Sequence, residues 1–214
     1  MATYTQQRIV KVISLCAVLL TGAWLINSAY AKHHESDEQT LKSPEAFQHL
    51  DDKEAYSKAV FNELGKVLQH PRCVNCHADG DVPLQGDNMQ PHQPRVKRGP
   101  NDMGVPGMMC MTCHMPDNVQ VSKTWAMPGH QPWKMAPISQ IWENKSIGDI
   151  CRQMKDNERN GGMSLDDIIQ HVKEDGLVGW GWHPGEGREK APGSQKIAGE
   201  LTQAWVESGA GCPE

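Results

Sequence analysis

Apolar residues fall at helical spacing in four stretches of the chain, and these frame a long middle with no such period. From Ser43 the segment SPEAFQHLDDKEAYSKAVFNELGKVLQH predicts a helix. Ser43 is its N-cap, Pro44 lies in the first turn, and Phe47, Leu50, Val60, Leu64 and Val67 line one stripe before Pro71 stops it. A second helix is predicted over 146–158, closing at Gly161-Gly162. A third begins at Ser164, where Asp167 completes a capping-box pattern, and ends at Gly176. After a Trp- and Gly-rich loop over 177–193, a last helix is predicted over 194–208. Residues 78–137 are rich in Gly, Pro and Met and carry no strand pattern, so they read as loops. The predicted fold class is mainly α, one small domain with long Gly/Pro-rich loops.

The N-terminus reads as an address rather than as fold. Arg8 and Lys11 precede an apolar run over 12–26, and the stretch ends in Ala29-Tyr30-Ala31. A charged start, a short apolar run and small residues at −3 and −1 make a secretory signal, here cut after Ala31. The run is about 15 residues, short of the ~20 that span a bilayer, so no stable membrane span is expected after cleavage. Cys16 follows Leu15 rather than a small residue, which disfavours a lipid attachment site. The expected organisation is signal peptide 1–31, flexible mature N-terminus 32–42 and a single domain 43–214, located in the periplasm.

Charge changes the picture only by exclusion. Removing Arg8 and Lys11 from 21 basic residues, against 26 acidic ones, leaves a formal −7. No basic stripe remains, Arg95, Lys97 and Arg98 forming one short cluster, so nucleic acid is not an expected partner. Composition says more: 20 Gly and 14 Pro stand against two Phe and three Tyr, a thin supply of core for so loop-rich a chain. Something other than side chains, with a large apolar surface to bury, would fill that gap.

The cysteines point the same way. Seven become six once Cys16 leaves, and four of these lie in two Cys-x-x-Cys-His motifs, Cys73–His77 and Cys110–His114. Each thiol can add to one vinyl group of a haem, the two-residue gap matches the vinyl separation, and the adjacent His is placed under the iron. Zinc could take two Cys-x-x-Cys pairs, but that reading leaves His77 and His114 unexplained. A redox dithiol belongs in a βαβ context that this region lacks. Residue frequencies give about 0.01 such motifs by chance, so two are expected to be covalent c-type haem sites. Cys73 and Cys110 are 37 residues apart, too close for two cytochrome domains of ~100 residues; both haems must share one unit. Cys151 and Cys212 remain, and in an oxidising compartment they are expected to form a disulfide, two free buried thiols being the alternative.

The ligand opposite each proximal His is open at this level. Pro91-His92-Gln93-Pro94 follows the first motif and Gly129-His130-Gln131-Pro132 the second, with gaps of 15 and 16 residues from His77 and His114. This reads as a diverged internal repeat with one candidate distal ligand, His92 or His130, per unit. His70 and His171 are alternatives, and His183 is a weaker one. Met103, Met108, Met109, Met111, Met115, Met127 and Met135 crowd the second motif. One His/Met haem would have the higher potential, although clustered Met also packs adaptably against flat surfaces. Trp125, Trp133, Trp142, Trp180, Trp182 and Trp205 are candidates to line haem faces.

HPRCVNCHADGDVPLQGDNMQPHQPRVKRGP, CMTCH, PGHQPWKMAP, ICRQMKDNERNGG and HVKEDGLVGWGWHPGEGREKAPG together resemble exported diheme c-type cytochromes commonly labelled isoquinoline 1-oxidoreductase subunits. The resemblance covers nearly all of the mature chain. It implies service beside a molybdenum hydroxylase, passing electrons from its iron–sulfur centres towards the respiratory chain through a downstream cytochrome or terminal oxidase. It also implies His at positions 70, 92, 130, 171 and 183, in keeping with bis-His ligation. No molybdopterin or iron–sulfur motif occurs, so this chain would not itself hydroxylate a heterocycle. The expected function is periplasmic electron transfer by two low-spin haems. The alternative is a diheme enzyme such as a peroxidase, with one open haem site.

Overall fold

Asp52, not Ser43, opens the first long helix. The computed structural model describes residues 40–214, so the expected signal segment, the expected cleavage after Ala31 and most of the expected tail to residue 42 lie outside the described residues. Ser43 and Pro44 start only a 3-10 turn, Pro44–Phe47. Helix α1 then runs over Lys53–Leu68, with the Asp52 carboxylate accepting from the Ala55 N–H. Adjacent Asp51 and Asp52 explain the break, because short acidic side chains compete with the helix backbone and favour caps. Pro71, expected to end a helix, begins a new one: α2 spans Pro71–Val74 with His70 as N-cap. Proline suits a first helical position, where its missing N–H has no partner to lose.

The stretch read as loops carries three antiparallel hairpins, which corrects the expectation of no strands. Strands β1 (Leu84–Gln85) and β2 (Gln90–Pro91) pair, as do β3 (Gly104–Val105) with β4 (Met108–Met109) and β5 (Val119–Ser122) with β6 (Trp125–Met127). Most are too short to show alternation. Between β3 and β4, Pro106 is followed by Gly107 at φ +85°, the pairing a type II turn requires.

Four helices follow: α3 (Ile147–Lys155), α4 (Leu165–Glu174), α5 (Gly176–Gly179) and α6 (Gln195–Glu207). Ser146, Ser164 and Ser194 cap α3, α4 and α6 through their side chains, and Ser164 with Asp167 forms the expected capping box. Asp175, rather than Gly176, ends α4, and its carboxylate then accepts from the Leu177 and Val178 N–H groups to start α5.

Helix α6 packs on α1 and α4, and α3 packs on α1. Phe61 and Trp205, both fully buried, meet at 4.8 Å between ring centres, beside Val60, Leu64, Ile150 and Leu201. Gly199 lets α6 approach α4, since a Cβ there would lie 2.8 Å from that of Lys173. Cys151 on α3 is bridged to Cys212, the expected disulfide, which ties the C-terminal segment to the core. Among the described residues, nothing between positions 74 and 141 joins this core, and only Cys73 and Trp142 touch it from the edges. The helix-rich shell thus holds the motif-bearing middle at its margin. Among the described residues no helix is long and apolar enough to cross a membrane.

Candidate functional site

Both Cys-x-x-Cys-His motifs fold into one helical turn. The His77 N–H donates to the Cys73 carbonyl at 3.1 Å, and the His114 N–H to that of Cys110 at 3.0 Å. Residues three and four apart on such a turn share a face, so in each motif two thiols and one imidazole are offered on the same side. The first turn continues from the end of α2, and the second includes a 3-10 turn over Cys110–Thr112. All four thiols are free, in contrast to the bridged Cys151 and Cys212.

The two imidazoles are held alike. His77 Nδ1 lies 2.8 Å from the Gln140 carbonyl oxygen, and His114 Nδ1 lies 2.8 Å from that of Pro128. A carbonyl only accepts, so each ring donates from Nδ1 and keeps its lone pair on Nε2. Each also stacks on a tryptophan. His77 lies 3.5 Å from Trp142 at 7° between planes, and His114 lies 4.4 Å from Trp133 at 8°. Burial pushes the His77 pKa down to about 3 and lowers that of His114, so both rings are neutral at pH 7.

Three of the thiols, Cys73, Cys76 and Cys110, are protonated as well. Burial pushes Cys73 up to about 12 and Cys76 up to about 11, and raises Cys110. A reactive dithiol needs the opposite shift. Among the described residues no group of three or more His, Cys, Asp or Glu side chains converges to hold a metal ion. The motifs are nonetheless neighbours, since Cys110 lies near enough to raise the Cys76 pKa by its charge. Contacts also run from His114 through Trp133 to Trp180 at 4.9 Å, and from Trp180 to the Arg72 guanidinium at 6.0 Å.

The other histidines sort by which nitrogen is engaged. His70 Nδ1 accepts from the Arg72 N–H at 3.2 Å as a helix cap. Its neutral ring therefore carries the proton on Nε2, and burial lowers its pKa to about 4. His92 and His130 instead direct Nδ1 at the carbonyls of Pro94 and Pro132, at 2.9 and 3.3 Å, each with a cis peptide before that proline. The expected repeat thus has a shared local geometry. The rings go to different places: His92 sits 6.0 Å from His114 between ring centres, whereas His130 Nε2 lies against the backbone of Gly176. His171 Nδ1 is 3.3 Å from the Asp175 carboxylate, leaving Nε2 free, and its ring is within electrostatic reach of His77. His183 is exposed. Of the seven methionines, Met111 accepts from the Trp133 N–H and Met135 is buried, while Met108, Met109 and Met115 are exposed.

Sequence reasoning missed two arginines. Arg98, grouped with Arg95 and Lys97 as a short basic cluster, is buried and bound to Asp102 and to the Ala136 and Gly80 carbonyls. Arg72, within the quoted PRCVNCH, is buried against Asp87. Arg72 Nε, Arg98 Nε and Trp142 Nε1 are buried donors without a protein acceptor, all flanking the first motif. Every exposed large apolar residue of the described chain lies between positions 89 and 138. Orphaned donors beside exposed apolar groups and paired thiols suit a flat apolar group bearing carboxylates.

The chain matches no known family model, curated protein or solved structure. The resemblance to diheme cytochromes therefore stands on the quoted residues.

Proposed function

We propose that this protein is an exported diheme c-type cytochrome that transfers single electrons between a redox enzyme and the respiratory chain. The observation that carries the reading is the duplicate build of the two motifs. In both, a helical turn offers two free thiols and one imidazole, and that imidazole donates from Nδ1 to a backbone carbonyl at 2.8 Å and stacks on a tryptophan. Such an outer partner fixes the tautomer and orientation of a ligating histidine.

Cys73, Cys76, Cys110 and Cys113 would anchor two haems by thioether bonds, with His77 and His114 as proximal ligands. When bound, each haem supplies an iron that accepts and returns one electron. Arg72 and Arg98 would meet the propionates with their unpaired Nε donors, and Trp142 with Nε1. His92 and His171 are the distal ligands best presented, each with Nδ1 occupied and Nε2 available. An acidic surface favours a partner with a basic docking patch, and a molybdenum hydroxylase is the donor class that the resemblance suggests.

The test is the EPR spectrum of the purified oxidised protein, together with mixing against a basic c-type cytochrome as acceptor. Two low-spin signals and salt-sensitive electron transfer are expected. A high-spin signal accompanied by peroxide turnover would instead make this a haem enzyme.

A further inference from the structure

We infer that one distal ligand crosses between the repeats: His92, from the loop after the first motif, is the sixth ligand of the iron held at the second, opposite His114. This rests on the diheme reading above and adds to it an assignment that repeat symmetry alone would get wrong. Symmetry gives each motif its own following His, so that His92 would serve the first haem and His130 the second. The observed positions differ. His92 and His114 are separated by 6.0 Å between ring centres, with planes 64° apart. Two imidazoles bound through Nε2 on opposite sides of one metal have their ring centres roughly 6 Å apart, since each nitrogen sits about 2 Å from the metal and about 1 Å from its ring centre.

Three further facts agree. Both rings have Nδ1 against a backbone carbonyl, at 2.9 Å for His92 and 2.8 Å for His114, so both hold a free lone pair on Nε2. His92 is placed from its own side by the hairpin that ends at Pro91, its N–H donating to the Pro83 carbonyl at 2.9 Å. His130, the ligand that symmetry nominates, has its Nε2 turned against Gly176, where an added Cβ would lie 2.6 Å away.

The test uses the full exported protein carrying its haems. Covalent mass is read first: a chain without haem sinks the diheme reading itself, separately from this assignment. In the haem-loaded protein, His92→Ala should turn one of the two low-spin EPR signals high-spin, with imidazole restoring it, and His130→Ala should leave both unchanged. Cyanide then marks the opened iron. Nuclear Overhauser contacts from the shifted haem should reach Met111 and Thr112, not Val74 and Asn75. His92→Met guards against a folding failure, because it keeps a ligand and should raise the potential of that same haem alone. The crossing is overturned if the His92 variants leave both haems unaltered, or if the altered haem is the one anchored at Cys73 and Cys76.

Discussion

Reducing the Cys151–Cys212 bridge should cost this fold about 4 kcal/mol, almost all of it through the unfolded chain. The bridge closes a loop across a sequence separation of 61, and the loop-entropy relation gives roughly 4 kcal/mol at 25 °C for that length. Native contacts would survive its loss. The Lys155 ammonium donates to the Ala210 carbonyl at 2.8 Å, the Trp205 indole N–H to that of Gly211 at 3.0 Å, and the Gly211 N–H to the Ser57 hydroxyl at 2.8 Å. A Cβ at Gly148 would strike the Pro213 carbonyl, so the tail also packs closely on α3. The C-terminal segment should therefore stay docked after reduction, while the unfolded state gains freedom. The assay is urea unfolding followed by tryptophan fluorescence, with and without reductant, and with Cys151→Ala/Cys212→Ala as a second route. The midpoint should fall and the slope rise, because the uncrosslinked chain exposes more surface. In a thermal scan the same loss lowers Tm by about 10 °C. A loss under ~1 kcal/mol would refute the loop-entropy reasoning, as would undocking of the tail seen by hydrogen exchange before global unfolding.

Other outcomes follow from burial and charge. Trp205→Ala, at a fully buried ring against Phe61, should destabilise by about 3–5 kcal/mol in the same unfolding assay. His70 is held neutral with a pKa of about 4 by burial, whereas the unfolded ring takes its proton near 6.5. Its share of stability is thus full above pH ~6.5 and drains as pH falls towards 4. His70→Asn keeps a capping acceptor and should flatten that slope in unfolding curves compared at pH 7 and pH 4.5. In the haem-loaded protein, Arg98→Gln should lower one midpoint potential by tens of millivolts and Arg98→Lys by much less, read by spectroelectrochemical titration.

What the sequence made legible was whatever depends on local chemistry. Ser146, Ser164 and Ser194 were readable as caps because a short hydroxyl ahead of an apolar period has few other uses. The disulfide followed from compartment and count, and the shared turn of the two HQP tripeptides from their spelling. Asp52 overrode Ser43 because a carboxylate cap competes with a helix interior, which periodicity alone does not weigh. The placement of His92 beside His114 was not readable. Nor was the burial of Arg98, since both come from loops folding back across 22 and 38 residues to reach their partners. Only the assembled chain decides such contacts.

Electron transfer by this chain requires that the two motifs carry two covalent haems. The most direct measurement of that requirement is the denatured mass and pyridine haemochrome absorbance of the protein exported by a host competent for cytochrome c maturation. Two haems per wild-type chain are expected, and one in each of the Cys73→Ala/Cys76→Ala and Cys110→Ala/Cys113→Ala variants. A wild-type chain recovered at its apoprotein mass, with no haemochrome band, would contradict it.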